Sequence, residues 1–580
     1  MTLLSKFFIS LLAVLPAISA LASTTEHTLV IDHQSVNITG KSVEKITVNG
    51  GIPGPVLEFT EGDTAVIHVE NKLDKPTSVH WHGLLLPPDM DGVPGIGGFE
   101  AIPPGERFTY QFDLRQNGTY WYHAHSGTQE QEGHYGALIV HPKDQPVVGA
   151  DRDYVVLISD FSEETGQQIL SNIKKSPHYY NYAQRTVGDF LADVEEKGFK
   201  SAWQFASQWG RMRMSPTDLA DVRYDAFLLN GQTNEQNWTG LFNPGERVRL
   251  RFINASAMSM YDVRIPGLKM TVVQADGQYV EPVVVDEFRF AVAETYDVIV
   301  TPEADQAYTI AAESIDRSGF ALGTLATREG MRGPAPKPRP RSLLTMADMG
   351  HDMDHGDTEM DHSGHDMNHG DTEMDHSGHD MNHGDMAMAH SGHELSQKEQ
   401  QKTQSGWADA NTPEGHKALG YRDLRALESQ QDLRPAQRDI EVRLGGTMER
   451  FIWTINGDKF TDDSFQPIQL RYGERVRLIF KNDTMMAHPM HLHGMFVQLE
   501  NGQPAEKLPN KHTVNVPPGD SYSVLLTADE PGEWAFHCHL LYHMSAGMMS
   551  KVVVAEFDDA TLPDQPAPAS NDMGGHHDHH

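Results

Sequence analysis

Short runs in which apolar and polar residues alternate, broken by Gly and Pro turns, make up most of this chain, and a sustained helical period is almost absent. Period-two alternation is the pattern of a strand with one buried face. Many such strands separated by turn residues predict an all-β chain built of sandwiches. Three stretches look alike: Glu61-Gly62-Asp63-Thr64-Ala65-Val66-Ile67-His68-Val69, Gly245-Glu246-Arg247-Val248-Arg249-Leu250-Arg251-Phe252 and Gly473-Glu474-Arg475-Val476-Arg477-Leu478-Ile479-Phe480. Each is a turn followed by alternating apolar positions, and each precedes an Asn (Asn71, Asn254, Asn482), which is a repeat at the scale of whole domains. The chain therefore divides into domain one (23–148), domain two (149–326) and domain three (433–558). A helical period over Thr186 to Trp209 marks an insertion in domain two with a packing role.

The remaining segments break this pattern. Residues 1–22 hold Lys6 and then the apolar run Phe7 to Ala22, ending in Ala20-Leu21-Ala22. This reads as a signal peptide, too short and wrongly flanked for a membrane anchor. No other apolar run is long enough to span a bilayer, so no stable membrane insertion is expected. Residues 327–432 read as a linker that includes the proline-rich Pro334 to Pro340. Within it a 14-residue unit starts at His351 and restarts at His365 and His379, with a Met every seven residues from Met353 to Met381. It has no apolar core residue except methionine, so the insert is expected to be disordered without a ligand. Thioethers select Cu(I) while imidazole with carboxylate accepts Cu(II), so additional copper is expected in this repeat. Residues 559–580 form a His-rich tail with His576, His577, His579 and His580.

A formal net charge of -35 and a pI near 5.2 argue against a nucleic-acid partner and favour attraction of cations. Exported proteins ordinarily recruit cysteines for disulfides. Here a single cysteine, Cys538, stands between His537 and His539, and such a thiol needs burial or a metal. His543 lies five residues on and Met548 ten, which supplies the thiolate, one imidazole and the weak axial thioether of a blue-copper site, with His488 as the second imidazole. The paired motifs His80-Trp81-His82, His123-Ala124-His125 and His491-Leu492-His493 complete the pattern. A His-x-His on a strand puts both rings on one face, about 7 Å apart. By the same alternation His537 and His539 face away from Cys538, so one strand touches two centres. Gly62 precedes His80 by 18 residues and Gly473 precedes His491 by 18; Gly105 and Gly519 stand in the same relation to His123 and His537. The middle copy has Val263 at that offset and no His-x-His. Four rings from domain one and four from domain three imply a cluster where the two meet, and eight imidazoles suit three ions rather than one. The other histidines outside the repeat and tail (His27, His33, His68, His134, His141, His178, His416, His512) read as ordinary.

The four motifs in this order resemble those of the multicopper oxidases, the laccase and ferroxidase superfamily of cupredoxin domains. The resemblance implies three cupredoxin-like Greek-key β-sandwich domains and four copper ions, one type 1, one type 2 and two type 3. It implies His80 and His491 as ligands of the type 2 copper. His82, His123 and His539 would hold one type 3 copper, and His125, His493 and His537 the other. Type 1 copper would take His488, Cys538 and His543, with Met548 axial. Cys538, His537 and His539 would carry electrons between centres, and Asp91 would stand as a carboxylate near the cluster; turn chemistry in Asp91-Gly92 explains that aspartate equally well. More narrowly, residues 90–95, 118–123 and 488–494 and the methionine and histidine repeat are similar to bacterial copper-resistance oxidases of the CopA type. Many of those carry a twin-arginine leader, and no Arg pair stands near the start of this chain.

The expected activity is therefore one-electron oxidation of Cu(I) coupled to four-electron reduction of O2 to water, in copper tolerance and in the periplasm. The partners implied are O2, Cu(I) or another small reductant, and other periplasmic copper-handling proteins. A laccase-like phenol oxidase and a copper-sequestering protein with incidental oxidase activity are the alternatives. Leu541 stands where some ferroxidases have an acid, which weighs against iron as substrate. Met485, Met486, Met490, Met495, Met544 and Met549 gather around the type 1 motifs, either to dock Cu(I) or to fill gaps in the core.

Overall fold

The computed structural model describes residues 23–144, 146–212, 215–345, 410–460 and 465–556. The readings of a signal peptide, of a disordered copper-binding repeat and of a His-rich tail fall outside these residues. The alternation in the sequence becomes strands with one buried face: every second residue of Thr64–Asn71 is buried, and Arg475–Asn482 follows the same pattern. Both belong to the three repeated stretches, and all three take the same place. Thr64–Asn71 pairs in parallel with the opening strand Thr24–Asn37, Val248–Asn254 with Arg152–Phe161, and Arg475–Asn482 with Arg438–Thr447. A parallel pair needs a crossover connection, so the chain must leave and return between them.

The N-terminal sandwich is two four-stranded sheets, the middle one two six-stranded sheets, and the C-terminal one a six- and a five-stranded sheet. The short strand Ala418–Leu419, from the far side of the repeat, is an edge strand of the middle sandwich. One apolar core fills the N-terminal sandwich, while a second runs without a break from the middle sandwich into the C-terminal one. The helical insertion is a pair of helices, Val187–Lys197 and Phe199–Met212, because Gly198 at φ +81 ends the first. An earlier helix, Gly166–Lys175, is capped by Thr165. Among the described residues no helix is long and apolar enough to cross a membrane.

Strand register sets up the site. His80 lies directly across from His123 in the N-terminal sandwich, and His491 directly across from His537 in the C-terminal one. These two strand pairs meet at the seam between the outer sandwiches, where rings from both sides come within hydrogen-bonding distance.

Candidate metal centres

Cys538 ends the strand Gly532–Cys538 and is fully buried. Its Sγ lies 3.5 Å from His488 Nδ1 and 3.9 Å from His543 Nδ1, and those two nitrogens are 3.2 Å apart. Nitrogen and sulfur ligands about 2.0–2.3 Å from a shared ion are roughly 3.3–3.8 Å from one another in trigonal or tetrahedral geometry. The three atoms therefore fit one ion. Each ring is held by its far nitrogen: His488 Nε2 is 2.6 Å from Thr484 Oγ1, and His543 Nε2 is 2.7 Å from Asp221 Oδ2. Trp453 stacks on His543 with ring centroids 3.9 Å apart. Met548 is buried beside the cysteine, its carbonyl accepting from Cys538 N at 3.0 Å. Burial pushes the thiol pKa up and those of His488 and His543 down. The imidazoles are thus neutral, as a metal requires, while the thiol gives up its proton on binding.

The second cluster brings all eight paired histidines together. His125 Nε2 and His493 Nε2 lie 3.2 and 3.0 Å from His537 Nε2, and His539 Nε2 lies 3.3 Å from His123 Nε2. His80, His491 and His493 bring their nitrogens within 4.8 Å of one another, as do His80, His82 and His123. Outward nitrogens are tied down. His80 Nδ1 faces the Asp91 carbonyl at 2.8 Å, His491 Nδ1 the His512 carbonyl at 2.7 Å, and His537 Nδ1 the Cys538 carbonyl at 3.0 Å. Inward, His80 Nε2, His491 Nε2 and His82 Nδ1 are buried without a hydrogen-bond partner among the described residues. Orphaned buried polar atoms are costly and rare. Three of them, converging with nitrogen pairs spaced as for shared ions, fit a cluster of metal ions. Burial, with the neighbouring rings, holds His82, His123, His125, His491, His493 and His539 well below the usual imidazole pKa, and His537 at about 4.

Three family models described as multicopper oxidase match residues 30–145, 195–329 and 433–558. A copper resistance protein A homolog from Pseudomonas syringae pv. tomato (strain ATCC BAA-871 / DC3000) is 49% identical over 92% of this chain and 93% of its own length. Copper resistance protein A from Escherichia coli is 48% identical over 93% of this chain and 94% of its own. The chain belongs to the multicopper oxidase family. It is accordingly a copper-dependent oxidoreductase that uses O2. In fold, this multicopper oxidase is similar to the crystal structure of a laccase from Botrytis aclada (20% identity, TM-score 0.63, covering 92% of this chain and 88% of that one). It is also similar to a multi-copper oxidase from Pseudomonas thermotolerans (20% identity, TM-score 0.59, covering 92% and 100%).

The geometry of this multicopper oxidase departs from the sequence reading in two ways. Of the four His-x-His pairs, only His80 and His82 share one strand among the described residues; His125, His493 and His539 stand just past strand ends. The chain turns sharply there, and Gly494, at φ +70, lies where a Cβ would come within 2.3 Å of the Trp534 ring. His512, read as ordinary, is buried with Nδ1 3.2 Å from His82 Nε2. Its signal was the pair Lys511-His512 just before the alternation Val514-Asn515-Val516.

Three carboxylates touch the rings. Asp91 Oδ2 is 2.8 Å from His493 Nδ1, and its Oδ1 is buried 3.3 Å from His80 Nδ1. Glu130 Oε2 is 2.7 Å from His123 Nδ1, with burial raising the pKa of its carboxyl. Asp221, from the middle sandwich, serves His543. Glu130 and Asp221 sit in stretches whose sequence gives no sign of them. Of the six methionines near the cysteine motifs, Met486, Met490, Met495 and Met549 are buried, and Met485 and Met544 pack against the core.

Proposed function

We propose that this multicopper oxidase takes electrons from Cu(I) at the cysteine centre and delivers them to dioxygen at the eight-histidine cluster, in copper tolerance. His488, Cys538 and His543, with Met548, would hold one copper. His80 and His491 would hold a second, His82, His123 and His539 a third, and His125, His493 and His537 the fourth. Copper held there supplies one-electron exchange at the thiolate and four-electron reduction of O2 to water at the cluster. The chain supplies the connection and the shielding. Cys538 is bonded through the backbone to His537 and His539, so the two centres are a few bonds apart. The buried rings keep bulk water from the cluster. Asp91 and Glu130 fix the rings of His493 and His123, and Glu130 Oε1, buried without a hydrogen-bond partner among the described residues, is an atom able to hold a proton beside the cluster.

One observation favours Cu(I) over a phenol as substrate. A narrow cleft opens against Asp221, lined also by Met258, Met260, Met486, Asp316 and Leu540. Its volume is about 20 Å³, room for one or two waters. Three thioethers and a carboxylate hydrogen-bonded to His543 suit a soft monovalent cation. The apolar start of the chain supports export to the periplasm, and the repeat supports additional copper binding there. Oxygen uptake with Cu(I) and with a phenol, on the full chain and on a variant lacking 346–395, tests the reading. Uptake driven by Cu(I) in both proteins supports it. Uptake driven mainly by the phenol points to a laccase-like enzyme, and uptake with neither points to sequestration.

A further inference from the structure

The middle sandwich offers no ring to either centre, yet one of its carboxylates reaches the eight-histidine cluster through two residues of the C-terminal sandwich. Asp276 is fully buried in the turn between strands Met270–Ala275 and Gln278–Val285. Its Oδ2 accepts the backbone N–H groups of His512 and Thr513 at 3.2 and 3.1 Å and lies 3.1 Å from Lys511 Nζ. Oδ1 accepts from Thr295 N at 3.1 Å. Lys511 is itself fully buried, 3.0 Å from Glu294 and over the rings of Tyr296 and Tyr421. Burying one ammonium and two carboxylates is costly unless each is paired, and breaking such a set leaves an uncompensated charge. The 511–513 backbone is therefore held firmly.

Residue 512 on that backbone presents two acceptors to the cluster, one from its ring and one from its carbonyl. His512 Nδ1 faces His82 Nε2 at 3.2 Å, and the His512 carbonyl faces His491 Nδ1 at 2.7 Å. Thr513 Oγ1 stands 3.4 and 3.5 Å from the same two ring nitrogens. His82 is unlike its neighbours. It turns Nδ1 inward, whereas His80 and His491 turn Nε2 inward. A ring that donates from one nitrogen keeps its lone pair at the other. Gly83 lets the two rings approach, since a Cβ there would lie 2.5 Å from His512 Cδ2.

We propose that His512, braced by Asp276 and Lys511, is a positioning residue that fixes which nitrogen His82 offers the cluster and, through its carbonyl, which His491 offers. The ligand-free middle sandwich thereby holds one edge of the copper site. The inference rests on reading the eight histidines as copper ligands. His512→Asn keeps an acceptor oxygen where Nδ1 stands, His512→Leu removes it, and Asp276→Asn removes the charge of the brace while leaving the ring. Each full-length variant is titrated with copper and read for copper per chain, for the blue thiolate absorption of the cysteine centre and for the near-ultraviolet band of a coupled copper pair. All three are expected to keep the blue absorption. His512→Leu and Asp276→Asn are expected to bind cluster copper about 10- to 100-fold more weakly and lose the pair band, and His512→Asn to restore both. Should His512→Leu fail to fold, Asp276→Asn decides. Parent-like copper binding and bands in Asp276→Asn or His512→Leu, or equal losses in His512→Leu and His512→Asn, overturn the proposal. A parent chain that takes copper at the cysteine centre alone overturns the ligand reading itself.

Discussion

Replacing Asp221 with Asn keeps the shape of the side chain and an acceptor for His543 Nε2, and removes one buried negative charge. With 2.7 Å from carboxylate to ring, about 2.2 Å across the imidazole and about 2.0 Å from nitrogen to metal, the charge would stand roughly 7 Å from the copper. At an effective dielectric of about 20, that charge is worth about 2.4 kcal/mol to the added unit charge of Cu(II) over Cu(I). For a one-electron couple, where about 59 mV is tenfold, this is about 100 mV. The potential of the blue centre in Asp221→Asn should therefore rise, by up to about 100 mV. Burial raises the pKa of Asp221 to about 7. The carboxylate is ionised above that pH, so the difference from the parent is expected in full at about pH 8 and smaller at about pH 6. A redox titration that follows the blue absorption of both proteins measures the shift. A potential unchanged within about 20 mV, or lowered, refutes the electrostatic role of Asp221.

Other consequences follow from the same geometry. Because the apo thiol of Cys538 is protonated at neutral pH and its two partner imidazoles are not, metal binding at this centre should release one proton. Affinity should then rise about tenfold per pH unit, measured by competition with a copper chelator between about pH 6 and 8; a flat profile contradicts it. Gly494→Ala places a Cβ against Trp534 at a left-handed position and should cost about 2–4 kcal/mol in urea unfolding, with a change below about 0.5 kcal/mol counting against it. Glu130→Gln keeps the size of the side chain but loses the carboxylate facing His123 Nδ1. It should lower copper affinity of the cluster about tenfold or more, read by metal analysis, and leave the blue absorption unchanged.

Much of this was legible in the chain. The 18-residue offsets from turn glycine to histidine are local facts of strand length and register, and they forecast that His80 and His123, like His491 and His537, occupy matching places. The lone cysteine between two histidines pointed to neighbouring ring clusters, and Cys538 indeed lies by His488 and His543 while His537 and His539 lie by His125 and His123. What stayed hidden is what depends on packing between distant segments. Asp221 meets His543 from 322 residues away, and His512 meets His82 from 430. No spacing rule connects such pairs, because the contact is made by the docking of whole sandwiches. His512 illustrates the error: judged by motif it is solitary, and only the buried charges beside it give it a reason to be there. The insertion at 186–209 was legible as helix, but its division in two turned on the left-handed geometry of Gly198.

The most direct test is a metal analysis of the purified, copper-loaded chain lacking residues 346–409 and 557–580, with its Cys538→Ser counterpart. Four coppers per chain with intense blue absorption, falling to three without the blue band in Cys538→Ser, are predicted. A single copper per chain, or a blue band that survives the loss of Cys538, would contradict the account.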